Sequence, residues 1–161
     1  GAPVYTPEEL AFAAAFETTF HTEGYVHGAG SCQEAYAAAI RGMQKSPMND
    51  FVMPLFTGDA FSPGSTDVGD VSWQCPTAQL HVAAWPNGCP GHSWQNVSCG
   101  KSPLGYKALL KAAQVLCGAA IDLLEQPELL SAAREEFAAR TAGGYHCPIP
   151  AEAVPTLPEL G

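Results

Sequence analysis

One histidine in a glycine-containing loop is the residue of this chain best suited to metal chemistry. His92 follows Cys89-Pro90-Gly91 and comes soon after a stretch with strand periodicity. Its imidazole can therefore project over a strand end, where open α/β sheets place their sites, and neutral imidazole is a good zinc ligand. Spacing alone also allows a plain surface histidine. His81 is expected to be a structural or surface residue on the predicted strand. No partner stands at metal-ligand spacing from His21, His27 or His146.

A second polar segment, GSTDVGDVSW at residues 64–73, combines two aspartates with no basic neighbour. Gly64 and Ser65 are typical of a turn. Asp67 has two interpretations that the sequence leaves open: its carboxylate caps a short helix, or it lies near a cationic site and hydrogen-bonds a ligand imidazole. The chain has no G-x-S-x-G elbow, H-E-x-x-H pair or phosphate-binding glycine loop. Judged by these motifs, the chain lacks a complete set of catalytic residues.

Start signals and apolar periodicity predict four helices and one strand that would position these residues. Thr6-Pro7-Glu8-Glu9 is a capping box with proline at the first helical position, and Ser31 with Glu34 repeats the pattern. A third helix has so little polar surface that it must be covered on most sides. The predicted helices are 7–22, 31–44, 103–125 and 127–141.

Residues 77–85 alternate apolar and polar side chains and so predict the strand, which gives a layered α/β unit. Phe12, Phe16 and Phe20 repeat every four residues, which predicts a stripe packed in the core and a helix stop at Gly24.

Composition limits the class of protein. The 161 residues suit one domain, and sixteen acidic against seven basic residues give a net charge of −9, which argues against nucleic acid or an anionic membrane as a partner. With no secretory signal and no long apolar run, the expected location is cytoplasmic. The six cysteines are expected to be reduced, buried thiols; three disulfides in a secreted binding domain are the alternative.

Five segments together resemble the end of the catalytic domain in the co-catalytic zinc peptidases and amidohydrolases, most closely the p-aminobenzoyl-glutamate hydrolases. They are STDVGDVSW, CPTAQL, PGHSWQ, the helix containing AAQVLCGAAIDLL, and CPIP, and they cover roughly the last hundred residues. The resemblance implies that residues 1–161 are the C-terminal portion of a zinc-peptidase-like α/β/α catalytic domain, helix-rich with few strands. This portion would follow an inserted lid domain, with the N-terminal metal-ligand half absent.

The same resemblance implies roles for particular residues. His92 would bind one of two zinc or manganese ions, and Gly91 would let the backbone approach the cleft. The residues expected around the metal or the substrate are Ser65, Thr66, Asp67, Gly91 and Ser93. Many relatives have an acid where this chain has Thr66, which weakens a catalytic role there.

A two-metal hydrolase needs about five protein ligands and a glutamate base, so no catalytic residue is expected in this chain. The implied function is part of a metal-dependent amidohydrolase that cleaves N-acyl amino acids such as p-aminobenzoyl-glutamate, inactive by itself. Its partners would be the missing N-terminal half or a companion subunit, within an oligomer. Whether the chain is a proteolytic fragment, a subunit or an expressed portion stays open. The alternative is a noncatalytic interaction module that retains the fold.

Overall fold

The computed structural model describes residues 1–21, 30–61, 64 and 66–154, and it is helix-rich. In these ranges the helices are α1 (Pro7–Glu17), α2 (Ser31–Met43), α3 (Val68–Ser72), α4 (Trp94–Gly100), α5 (Pro103–Glu125) and α6 (Pro127–Arg140). The described residues contain no strand. None of these helices combines the length and the apolarity needed to span a bilayer.

The strand predicted at residues 77–85 is wrong for this chain, because the whole segment is described and forms no ladder. Alternation reports only that side chains point to opposite faces, whereas a strand also needs a neighbour that accepts its backbone hydrogen bonds. Here one backbone group of the segment binds a side chain instead: the Tyr5 hydroxyl donates to the Ala83 carbonyl oxygen at 3.0 Å.

Helix α1 begins where its capping box predicts. Thr6 Oγ1 accepts a hydrogen bond from the Glu9 backbone N–H, and Glu9 Oε2 accepts one from the Thr6 N–H at 2.7 Å. The helix ends at Glu17, earlier than the predicted residue 22, and Thr19 Oγ1 donates to the Phe16 carbonyl oxygen at its end. The stop predicted at Gly24 lies outside the described residues.

Helix α2 has the predicted range but not the predicted cap. Ser31 is its first residue, and its hydroxyl and N–H both donate to the Asp59 carboxylate. The Cys32 N–H donates to the Asp59 carbonyl oxygen at 3.0 Å. A carboxylate accepts helix N–H groups more strongly than a hydroxyl does, so Asp59, distant in sequence, supplies the cap. These hydrogen bonds, chiefly those from Ser31, lower the pKa of Asp59.

Helices α5 and α6 match their predictions closely, and α5 packs against α4. The packing depends on Gly105, because a Cβ there would lie 2.6 Å from the Gly100 carbonyl oxygen. Ser102 fixes the junction: its Oγ donates to the Cys99 carbonyl oxygen at 2.6 Å and accepts from the Leu104 N–H at 3.2 Å.

The chain forms two compact units. Unit 1 contains Gly1–Ser65 and Gln79–Glu125, and unit 2 contains Thr66–Ala78 and Gln126–Gly161. The core of unit 1 is small: Ala13, Met48 and Leu104 are fully buried, with Tyr5, Leu10 and Ala83 packed against them.

The predicted core positions are only partly correct. Phe12 is 40% exposed and its ring contacts that of Phe16 at 5.0 Å, so α1 presents Ala13 to the core rather than a phenylalanine stripe. Most of α5 is likewise exposed, although its composition predicts a helix covered on most sides. The described part of this chain thus provides little cover for its longest helix.

All six cysteine thiols are free. Cys89 and Cys99 are buried as predicted, whereas Cys75, Cys117 and Cys147 are exposed. Cys32 is half-buried. The expectation that the thiols are buried is therefore correct for two positions, partly correct for Cys32 and wrong for these three.

Candidate functional site

His92 lies in a tight turn that ends at the start of α4. Its φ of +55° is the one positive value among the non-glycine residues that the structure describes. Left-handed backbone costs an L-residue roughly 1–2 kcal/mol, and such strain concentrates at functional sites. The side chain is exposed to solvent. The turn therefore presents an imidazole outward in a conformation that a glycine would adopt more easily.

Hydrogen bonds on both sides of His92 hold the turn. Ser93 Oγ donates to the Pro90 carbonyl oxygen at 2.7 Å and accepts from the Asn96 N–H at 3.2 Å, so Ser93 is the N-cap of α4. The Cys89 N–H donates to the Pro86 carbonyl oxygen at 3.1 Å. Ser93 thus has a structural role here, and its proximity to substrate stays a prediction.

Two buried thiols lie in the same segment. Burial raises the pKa of the Cys89 thiol, a shift that the Ser93 hydrogen bond partly opposes. Burial, with a smaller contribution from the charge of Cys89, raises the pKa of Cys99 to about 11. Both sulfurs are therefore mainly protonated at neutral pH, which lowers their reactivity as nucleophiles.

Gly91 and the residues after Ser93 are not explained by a metal site within this chain. A Cβ added at Gly91 would meet no atom within 4 Å, so nothing in the described residues requires glycine there. Gln95 is buried and donates to the Thr19 carbonyl oxygen and hydroxyl at 3.3 and 3.2 Å. Trp94 is 60% exposed and its ring lies 5.8 Å from that of Phe16. Gln95 consequently anchors α4 to the end of α1.

The other predicted site segment lies in unit 2. Thr66 Oγ1 accepts a hydrogen bond from the Val68 N–H at 3.3 Å, while Asp67 makes no side-chain cap although it precedes α3. The interpretation of Asp67 as a carboxylate cap is therefore wrong, because the threonine hydroxyl takes that role. Asp67 is exposed. Ser65 lies outside the described residues.

Sequence reasoning missed the residue that binds the second aspartate of this segment. The Tyr145 hydroxyl donates to Asp70 Oδ1 at 2.5 Å, and the Tyr145 ring lies 6.1 Å from that of Trp73. No local signal identifies a tyrosine so distant in sequence.

The described residues do not form a complete metal site. His92 belongs to unit 1 and Asp67 to unit 2. Across the ranges that the structure describes, no group of three or more His, Cys, Asp or Glu side chains could hold an ion. The exposed imidazole of His92 is compatible with a contribution of one ligand to a larger site.

Comparison with known proteins identifies a relative that aligns with nearly the whole chain. The chain is 32% identical over 162 aligned residues to a subunit of the p-aminobenzoyl-glutamate hydrolase of Escherichia coli (strain K12). The chain is homologous to part of that hydrolase. The alignment covers 97% of this chain and 34% of the relative, so the chain spans about a third of the relative's length.

This match confirms the resemblance predicted from the sequence segments, and it also reaches the first sixty residues, where those segments gave little. No family model matches the chain. No solved structure matches it either.

Proposed function

We propose that this chain is the C-terminal part of a metal-dependent amidohydrolase that cleaves the amide bond of N-acyl amino acids such as p-aminobenzoyl-glutamate. The similarity of 97% of the chain to part of a p-aminobenzoyl-glutamate hydrolase carries the proposal. In the complete protein the chain would belong to an α/β/α catalytic domain of the zinc-peptidase type, located in the cytoplasm.

His92 is the metal ligand in this proposal. Its imidazole is exposed on a turn in which its backbone is left-handed. Strained backbone of this kind clusters at active sites and ligand-binding sites, which supports a functional role for His92. When bound, zinc or manganese supplies activation of a water molecule for attack on the amide carbon.

The other predicted site residues orient groups at the site and do not take part in bond making or breaking. Ser93 fixes the direction of the turn by capping α4, and Gly91 leaves its surface open to an approaching chain. The Asp67 carboxylate is not used as a helix cap, so it can accept a hydrogen bond from a ligand imidazole. Ser65 and Thr66 complete the polar segment beside it.

The remaining ligands and the general base must come from elsewhere. About five ligands are needed for two metals, and this proposal assigns only one of them, His92, to this chain. The relative extends far beyond the alignment, and its name describes one subunit of a hydrolase. We infer that the rest of the same protein, or a companion subunit, completes the site in an oligomer.

A chimera tests the proposal. This chain would replace the aligned third of the Escherichia coli relative, and p-aminobenzoyl-glutamate cleavage and bound metal would be measured with added zinc or manganese. We expect the chimera to cleave the substrate and the isolated 161-residue chain to be inactive. Turnover by the isolated chain would show that the active site has been misplaced.

His92→Ala in the chimera should lower the metal content and nearly abolish cleavage. His81→Ala is the matched control, because it is exposed and outside the turn. If the His92 variant keeps its metal and activity, this residue is a surface histidine. A metal-free, monodisperse monomer that stays inactive in every combination would favour the interaction module.

A further inference from the structure

The long helix α5 exposes a large apolar surface. Only Leu104 and Ala108, in its first two turns, are buried. Beyond them the leucines and isoleucine are mostly in contact with solvent: Leu109 is 68% exposed, Leu110 64%, Leu116 60%, Ile121 52% and Leu124 82%. Soluble proteins rarely expose contiguous apolar surface of this kind without a partner.

The polar residues of α5 are confined to one narrow stripe. At 100° per residue, Lys107, Lys111, Gln114, Asp122 and Glu125 fall on one side of the helix. Roughly two thirds of the circumference is therefore apolar. Lys107 on that stripe is bound by Glu9 Oε2 at 2.6 Å and the Val4 carbonyl oxygen at 2.8 Å, so unit 1 uses part of the polar side.

We propose that the apolar surface of α5, formed by Leu109, Leu110, Leu116, Ile121 and Leu124, is buried by the remaining part of the hydrolase. This inference rests on the proposed function. The occupant is the polypeptide that corresponds to the two thirds of the relative outside the alignment, since the chain covers only 34% of it.

The width of the apolar surface favours this occupant over a second copy of the chain. Two helices that pair side by side bury a narrow seam on each. A helix that is apolar over most of its circumference is instead typical of the interior of a larger domain, where several elements cover it. The rest of a protein about three times as long as this chain can supply those elements.

Cys117 is a direct reporter, because it is an exposed thiol on α5 among these residues. A maleimide would be applied to the isolated chain and to the chimera, and labelling of the Cys117 peptide would be followed by mass spectrometry, with each protein unfolded in urea as the reference. We expect Cys117 to label rapidly in the isolated monomer and at least tenfold more slowly in the chimera. Equal rates would overturn the proposal, as would protection of Cys117 by a concentration-dependent dimer of the isolated chain.

A second measurement tests the proposal even if the chimera fails to fold. This chain, carrying a tag, would be co-expressed with the remaining part of the Escherichia coli relative as a separate polypeptide. Leu116→Glu should abolish co-purification, whereas Gln114→Glu places the same charge on the polar stripe and should not. Failure of the unaltered chain to capture the other part, or equal behaviour of the two variants, contradicts the proposal.

The tests separate this inference from the proposed function. An active chimera with an unprotected Cys117 would refute the interface alone. A chimera that protects Cys117 but cleaves no N-acyl amino acid would refute the function alone.

Discussion

Tyr145 donates a hydrogen bond to Asp70 Oδ1 at 2.5 Å and joins the segment after α6 to the short helix α3. The Tyr145 ring also lies 6.1 Å from that of Trp73, at an interplanar angle of 48°. One of the two aspartates in residues 64–73 therefore has a structural role within unit 2. The other, Asp67, is the one left available for a site.

Tyr145→Phe should lower the melting temperature of unit 2 while leaving its aromatic contact in place. The substitution removes the hydroxyl that Asp70 accepts from but keeps the ring beside Trp73. Thermal unfolding followed by tryptophan fluorescence measures the effect. Tyr106→Phe, on an exposed residue of α5, is the control, and an equal shift in both variants would contradict a specific role for the Asp70 bond.

The same bond predicts a dependence on alkaline pH. The hydrogen bond to Asp70 is the largest cause that raises the pKa of Tyr145, and a hydrogen bond with Cys147 is the next. Both favour the neutral phenol. Because the folded pKa lies above the unfolded one, this stabilisation is fully present below about pH 10 and is lost as the pH rises through the folded pKa. Burial raises the pKa of Tyr5 to about 12, so the stability that Tyr5 contributes is also lost at high pH. In a tyrosinate absorbance titration both residues should ionise late, and Tyr145→Phe should remove one late step.

The elements that the sequence predicted well depend on neighbouring residues. The capping box of Thr6 and Glu9 and the prolines at positions 103 and 127 place helix starts correctly, because caps act within one turn. Ser31 failed as a cap because it is the first residue inside the helix, and its hydroxyl and N–H both donate to Asp59, far along the chain. The strand at residues 77–85 failed for a related reason: its alternation needs a neighbouring strand that the described residues do not provide.

In the candidate site, too, local features could be predicted from the sequence and contacts between distant residues could not. The sequence identifies His92 by its residue type and turn context, and the structure adds a left-handed backbone that no motif predicts. Partners such as Tyr145 depend on tertiary contacts and could not be read from spacing.

Glu9→Gln should lower the free energy of unfolding of unit 1 by about 1 kcal/mol at neutral pH. The Glu9 carboxylate caps Thr6 and accepts from Lys107 Nζ at 2.6 Å, and the Lys107 bond is the main cause of its lowered pKa. A lowered folded pKa gives stability that is present above the unfolded pKa and is lost as the pH falls through the folded one. The difference between the variant and the unaltered chain should therefore vanish in acid.

Urea unfolding at several pH values between neutral and acid checks this pattern. Glu17→Gln, at the other end of α1, is the control and should change little, since Glu17 is exposed. A penalty for Glu9→Gln that persists unchanged in acid would show that packing, rather than charge, accounts for it.

His92→Gly should stabilise the isolated chain by about 1 kcal/mol relative to His92→Ala, because glycine adopts a φ of +55° without a Cβ clash. Both variants lack the imidazole, so both should lose metal in the chimera. Urea unfolding of the isolated variants gives the first comparison, and metal analysis of the chimeras gives the second. Equal stabilities would show that the turn is not strained at this position.

Five of the six cysteines should divide into two reactivity classes, with the half-buried Cys32 between them. Cys75, Cys117 and Cys147 are exposed and should react rapidly with a thiol reagent near pH 8 in the native isolated chain. Cys99 is fully buried with a pKa raised to about 11, and the buried Cys89 has a raised pKa as well, so little thiolate is present and the reagent must await local opening. We expect these two to react at least about tenfold more slowly.

Peptide mapping of the labelled protein assigns each class, and titration in denaturant counts the thiols. Cys99→Ala should remove one slow thiol, whereas Cys75→Ala should remove one fast thiol. Six reactive thiols in denaturant are expected, because all six are free in the structure. A lower count without reductant would support the disulfide-bonded alternative, since each bridge withdraws two thiols from the titration.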